Sequence, residues 1–262
     1  MPVSALHVAR TGLEAQDMRM RVISNNLANV GTTGFKRDRA NFATLAYQDM
    51  RVAGQRSSGE TAYATGLNVG TGVAVQSTGR IMTQGALNST GNPFDFALDG
   101  DGYFQVEMPD GSLAYTRAGS FSLSADGELV TQQGYRLQPA IAIPEGATAV
   151  AVGTDGTISA QMAGEAAPQE LGRIEVASFV NSAGLRAGGD NFLFETAASG
   201  APLLGAAGQD GRGSIRQNML EASNVNVVGE LVEMIEAQRA YEINSKVVSA
   251  VDEMLRNANQ VL

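Results

Sequence analysis

The stretch Leu231-Val232-Glu233-Met234-Ile235-Glu236-Ala237-Gln238-Arg239-Ala240-Tyr241-Glu242-Ile243-Asn244-Ser245-Lys246-Val247-Val248 decides the reading of this chain. Leu231, Met234, Tyr241, Val248, Leu255 and Leu262 advance in steps of three and four, with Gln238, Ser245, Asp252 and Asn259 in the remaining slots, so they share one side of a helix. A second seam of Ala240, Ile243, Val247, Ala250, Met254 and Val261 runs beside it, while Glu242, Lys246, Ser249, Glu253, Arg256 and Gln260 form a wholly polar face. Most amphipathic helices carry one stripe and turn it to their own core; two seams need neighbours on more than one side. Asn226 offers a cap for the first turn, and Glu230 and Glu233 suit its positive end. From there to Leu262 the helix extends ~54 Å at 1.5 Å per residue, long for a compact domain.

The chain start repeats the pattern. Leu6, Ala9, Leu13, Met20, Ile23, Leu27 and Val30 keep the same step, interrupted by Gln16. The pattern predicts a helix ending in Asn25-Asn26-Leu27-Ala28-Asn29-Val30, with Gly31 as a left-handed cap and Thr32-Thr33-Gly34 as the break. From Phe35 to Gly72 the pattern is irregular: Phe42, Leu45 and Tyr47 are anchors, and Gly54-Gln55-Arg56-Ser57-Ser58-Gly59 reads as an exposed loop. The dense basic run Lys36-Arg37-Asp38-Arg39 reads as a solvated loop.

Between the helices, short strands alternate with tight-turn signals. Phe94, Phe96 and Leu98 form one alternating set and Phe104, Val106 and Met108 another, followed by Ile174, Val176, Val180, Phe192 and Phe194. Asp110-Gly111, Asp126-Gly127, Asp155-Gly156 and Asp210-Gly211 supply the positive-φ positions hairpins need. The expected class is α+β. An N-terminal helix over 1–31 and a C-terminal helix over 223–262 form a discontinuous coiled-coil domain, 32–72 is an extended linker, and 73–222 is a central antiparallel all-β domain.

With 262 residues and 44% hydrophobic content the chain can bury a core, and its net charge of -9 argues against a nucleic-acid partner. There is no cysteine for disulfide or thiol chemistry. The first thirty residues lack a secretory pattern, and no run approaches the ~20 apolar residues of a membrane span, so stable membrane insertion is not expected. His7 is the single histidine and has no second ligand or nucleophile beside it in sequence. Asp99-Gly100-Asp101-Gly102 resembles half a calcium loop, but Ala97 and Met108 stand where its first and closing ligands belong. No nucleophile elbow or phosphate-cradling loop exists. The expectation is a non-enzyme without cofactor or metal. The carboxylates fall mainly in turns and on the polar helix face, where solvation explains them.

Thr11-Gly12-Leu13-Glu14-Ala15-Gln16, Val22 to Val30 with Asn25, Asn26 and Asn29, and Gly34-Phe35-Lys36-Arg37 resemble the N-terminal signature of the axial rod and hook proteins of the bacterial flagellum. Asp99 to Val106 and Tyr115-Thr116-Arg117-Ala118-Gly119-Ser120-Phe121 are similar to that family's central β motif, with Asp101 and Tyr103 departing from its usual residues. Glu221-Ala222-Ser223-Asn224-Val225-Asn226 and Gln238-Arg239-Ala240-Tyr241-Glu242-Ile243-Asn244-Ser245-Lys246 resemble its C-terminal signature. Arg37 to Phe42, Tyr47-Gln48, and Gln84-Gly85-Ala86-Leu87 before Asn92-Pro93 are most similar to the branch that builds the distal rod; proximal rod and hook subunits are the alternatives within the family. A β-rich wall-binding or hydrolytic module is the alternative outside it.

The resemblance implies a subunit of a rigid, hollow helical shaft that carries torque and conducts exported subunits. It implies partners in other copies of the chain, proximal rod proteins, hook protein, the surrounding P and L ring proteins and the flagellar type III export apparatus. The implied location is the basal body's periplasmic rod, crossing the peptidoglycan towards the outer membrane after export without signal cleavage. The residues add a physical mechanism: apolar seams exposed in a single copy are expected to order and become covered as neighbours arrive. The expected assembly positions are Leu6, Leu13, Met20, Ile23, Leu27, Leu231, Met234, Tyr241, Ile243, Val247, Val248, Met254, Leu255 and Leu262.

Overall fold

The computed structural model describes residues 2–56, 63–164 and 167–261. The described residues form two long α-helices, α1 (Pro2–Ala28) and α2 (Val227–Val261), with a run of short strands between them in sequence, so the class is α+β. By contacts the chain divides into a helical unit, Met1–Ala28 with Asp38–Gly79 and Asn226–Leu262, and a β unit, Asn29–Arg37 with Arg80–Val225.

In the helical unit α1 and α2 lie antiparallel: Gly12 lies against Asn244, and Asn26 bonds Glu230. Asn226 caps α2 as expected, its side-chain oxygen accepting the Gly229 N–H at 3.2 Å. α1 stops at Ala28, and the left-handed residue after it is Gly34 (φ 68°), not Gly31. The reason is contact: a Cβ at 34 would stand 2.6 Å from the Arg117 carbonyl carbon.

The stretch expected as a linker over 32–72 is mostly structured. Residues 34–36 are buried in the β unit, and Asp38–Thr44 is a strand paired with Val73–Arg80. Gln48–Arg51 and Leu67–Val69 form an antiparallel pair that leaves Tyr47, Met50, Val52, Leu67 and Val69 exposed. Ser57 to Gly59 of the expected loop lie outside the described residues. The strand Val73–Arg80, expected in the β domain, belongs largely to the helical unit. Its start is tied to α1: Val73 N–H donates to Thr11 Oγ1 (3.4 Å), and a Cβ at Gly72 would overlap that hydroxyl.

The β unit is organised on Tyr103–Glu107. This strand pairs with Leu113–Thr116 on one side, and on the other with Arg136–Gln138 and Glu175–Ser178 in succession, all antiparallel. The sheet continues outward to Phe192–Phe194, Leu129–Thr131 and Leu203–Ala206. Ala147–Val152, Thr157–Met162 and Gln169–Arg173 make a separate three-stranded sheet. Phe96, Leu98, Phe104, Val106, Phe121, Leu137, Ile158, Ile174 and Ile215 fill the core, with Phe104 and Phe121 edge to face at 5.4 Å. The alternation predicts one wet face for Phe96–Asp99 and Tyr103–Glu107. Instead Ala97 and Gln105 are buried too, because neighbouring elements cover both faces.

The four Asp-Gly turns take the expected positive φ at glycine. In two of them the carboxylate accepts from the turn itself: Asp110 from Ser112 (2.6 and 2.9 Å), Asp155 from Thr157 (2.8 and 3.2 Å). Those side-chain and backbone bonds hold both carboxyls below the usual range.

Candidate assembly surface

The antiparallel pair divides α2 into two sides. One line, Glu230, Ala237, Asn244 and Val251, turns towards α1, buried or half-buried, with Met234, Val248 and Leu255 half-covered beside it. Apolar side chains open to water wind round the rest of α2: Val228 (71% exposed), Val232 and Ile235 stand opposite that line, Ile243 (62%), Val247 and Met254 (61%) along one flank of it, and Leu231 and Tyr241 on the other flank. Val228, Val232, Ile235, Ile243, Val247 and Met254 make a stripe in steps of three and four that runs through the exposed Arg239 and Ala250. A long helix that hides Glu230 and shows Ile243 is inverted relative to a self-contained fold.

On α1, Ile23 is buried, whereas Leu6, Leu13, Met20 and Leu27 are half-buried; Leu262 lies outside the described residues. The expected seams therefore separate. Ile23, Met234, Val248 and Leu255 are covered in part or whole within the chain; Leu231, Tyr241, Ile243, Val247 and Met254 are not.

The signature residues fall into three groups. Asn26 is buried in the helical unit, and Asn29 accepts the Thr32 hydroxyl at 3.1 Å. On α2, Gln238, Arg239, Glu242 and Lys246 are exposed, Ala240 and Asn244 half-buried.

The third group converges inside the β unit. Lys36, expected in a solvated loop, is 4% exposed; its ammonium donates to Glu221 Oε1 and to the Thr83 carbonyl (2.9 Å). Arg117 donates to Glu221 Oε2 (3.2 Å) and to the Gly100 carbonyl (2.7 Å). Glu221 Oε1 also accepts the Gly85 N–H at 2.9 Å. Asn224 accepts the Arg37 N–H (2.8 Å) and donates to the carbonyls of Ile81 (2.8 Å) and Thr83 (3.0 Å). Asn191, at the tip of the hairpin between Arg186–Gly189 and Phe192–Phe194, donates to Thr33 O at 2.7 Å. Phe35 is buried, Tyr115 packs edge to face on Phe179 at 4.8 Å, and Thr116 donates to Asn191 O at 3.2 Å.

This cluster is a clamp holding three separate stretches, 33–37, 81–86 and 221–225. Burial pushes the Lys36 ammonium below its usual pKa, and the bond and charge of Glu221 oppose that shift. Burial likewise raises the Tyr103 hydroxyl. The pairing of Lys36 with Glu221 spans 185 positions, so no local pattern exposes it. No described helix is long and apolar enough to cross a membrane, and among the described residues no group of three or more His, Cys, Asp or Glu is placed to hold a metal ion.

Three family descriptions match in order along the chain: Flagella basal body rod protein over residues 6–36, Flagellar hook protein FlgE/F/G D1 domain over 97–160, and Flagellar basal body rod FlgEFG protein C-terminal over 216–261. The chain is 49% identical to the flagellar basal-body rod protein FlgG of Buchnera aphidicola subsp. Acyrthosiphon pisum, across 99% of this chain and 100% of that one. It is 46% identical to FlgG of Caulobacter vibrioides, covering 99% of each. To the flagellar basal-body rod protein FlgF of Escherichia coli it is 34% identical, over 96% of this chain and 95% of that one. The N-terminal match takes in α1 from Leu6 onward, the C-terminal one contains α2, and the middle one begins in the strand that opens the β core. The chain belongs to the flagellar basal-body rod family of structural proteins.

Proposed function

We propose that the chain is a self-assembling structural subunit of the distal part of the flagellar rod, built into a rigid hollow shaft that transmits torque. The observation that carries this reading is the open apolar stripe of α2, Val228 to Met254, left uncovered on a helix that already packs on α1. Neighbouring copies supply the missing cover: each such side chain buried contributes about 1.5–3 kcal/mol before ordering entropy is subtracted. The greater identity to FlgG than to FlgF relatives favours the distal over the proximal rod. Proximal rod, hook and ring proteins and the export apparatus are the partners this place requires, and the periplasm is where the shaft lies. The role needs neither catalysis nor cofactor.

Sedimentation and negative-stain microscopy of concentrated protein test it. Rod-like polymers that pellet are expected; a small soluble oligomer at every concentration contradicts the reading and favours a wall-binding module.

Rigidity has its own carrier. The exposed pair Gln48–Arg51 and Leu67–Val69 presents Met50, Val52, Leu67 and Val69 to a neighbour, a wedge against sliding. Short deletions between Gln55 and Gly66 are expected to give bendable polymers by electron microscopy. Unchanged persistence length would remove the wedge.

A further inference from the structure

Alongside the buried Ile23, Ala237 and Val251, the contact between α1 and α2 carries a line of polar groups where helix pairs are ordinarily apolar. Three α1 positions spaced by seven meet α2: Gly12, Arg19 and Asn26. Gly12 lies against Asn244; Arg19 reaches Glu236 at 3.4 Å and Glu233 at 3.7 Å; Asn26 donates Nδ2 to Glu230 Oε2 at 3.1 Å. The side-chain oxygen of Gln16 is buried with no hydrogen-bond partner. Asn26 and Glu230 are each 2% exposed. The Asn26 amide is also fixed on a third element: Nδ2 donates to the Asp38 carbonyl and Oδ1 accepts the Asp38 N–H, both at 2.9 Å.

Such a seam is a poor adhesive and a good gauge. Apolar side chains tolerate a slide of one helical turn, about 5.4 Å, because one hydrocarbon replaces another. A buried amide that must meet a carboxylate and a backbone pair does not, since the slide leaves Glu230 buried without its amide. We propose that Asn26 is a positioning residue that fixes the register of α1 against both α2 and the strand Asp38–Thr44. The helices give up pairing strength for a single alignment, and that alignment sets which apolar side chains share the open stripe.

Because the full chain has no cysteine, disulfide trapping reads the register directly. Gly12→Cys with Asn244→Cys reports the observed alignment; Gly12→Cys with Ala240→Cys or with Val248→Cys reports a slide of one turn either way. In the otherwise unchanged chain only the first pair should close on oxidation. Asn26→Leu should retain helicity by circular dichroism, lose several-fold of that cross-link and gain a displaced one. Glu230→Gln, which keeps an acceptor for Asn26, should hold the single register. Ile23→Ala, an apolar truncation on the same helix, should lower stability without opening displaced registers.

A single undiminished register in Asn26→Leu would overturn the proposal. So would displaced products from Ile23→Ala equal to those from Asn26→Leu, or an unchanged chain that closes no 12–244 cross-link. If Asn26→Leu loses its helicity, Glu230→Leu is read in its place, with the same two outcomes deciding.

Discussion

Replacing Glu221 by alanine is expected to destabilise the β unit by about 3–5 kcal/mol, the range for removing one partner of a buried charge cluster. Glu221 is 1% exposed and is the carboxylate between two buried cations, Lys36 and Arg117, whose side chains are 4% and 5% exposed. Its loss leaves both cations without that counter-charge in a desolvated place, and deprives the Gly85 N–H of its acceptor. With so little water present, screening does not soften the effect. Lys36→Met should do much less, because it removes a cation burial already disfavours and leaves Arg117 paired with Glu221. Urea unfolding followed by the near-ultraviolet signal of the buried Tyr103 and Tyr115 reads the unit, since the chain has no tryptophan. Equal midpoints for Glu221→Ala and the parent would show that the cluster carries no such weight.

The second large effect concerns polymer formation. Ile243→Asp should abolish it at concentrations where the parent assembles, with helicity and β-unit stability unchanged. Ile243 is 62% exposed in the single chain, so the substitution disturbs little within one molecule. In a polymer it forfeits about 1.5–3 kcal/mol of burial at every subunit and adds a desolvated carboxylate of comparable or greater cost. At about 1.4 kcal/mol per tenfold, the concentration needed for assembly should rise about a hundredfold or more. Leu231→Asp, at the margin of the stripe, should act in the same direction, and Ser249→Asp on the polar face should leave assembly intact. Pelleting across a concentration series measures all three; normal polymers from Ile243→Asp would remove the stripe from the interface.

What the sequence made legible was what neighbouring residues decide among themselves. The span of α2, its Asn226 cap and the four Asp-Gly turns follow from periodicity and φ preference, and each stands where it was expected. What partners far along the chain decide stayed hidden. Lys36 looked like part of a solvated basic run because its partner Glu221 is 185 positions away. Asp38–Thr44 looked irregular because its pairing strand, Val73–Arg80, lies beyond a long excursion. Gly34 rather than Gly31 takes the left-handed position for contact with Arg117, a residue no local pattern brings near. The two seams of α2 were visible as apolar, but which one faces water was not, because α1 settles it through the polar residues Arg19 and Asn26.

In the polymer, adjacent copies cover the open stripe of α2, and a single thiol on that stripe reads the cover directly. Ile243→Cys gives the cysteine-free chain one reactive group at a small apolar replacement. Maleimide labelling should be fast in the dispersed chain and at least about tenfold slower in the polymer, as burial of a contact worth about 1.4 kcal/mol or more requires. A thiol that labels at the same rate in both states would mean that the polymer is held together elsewhere.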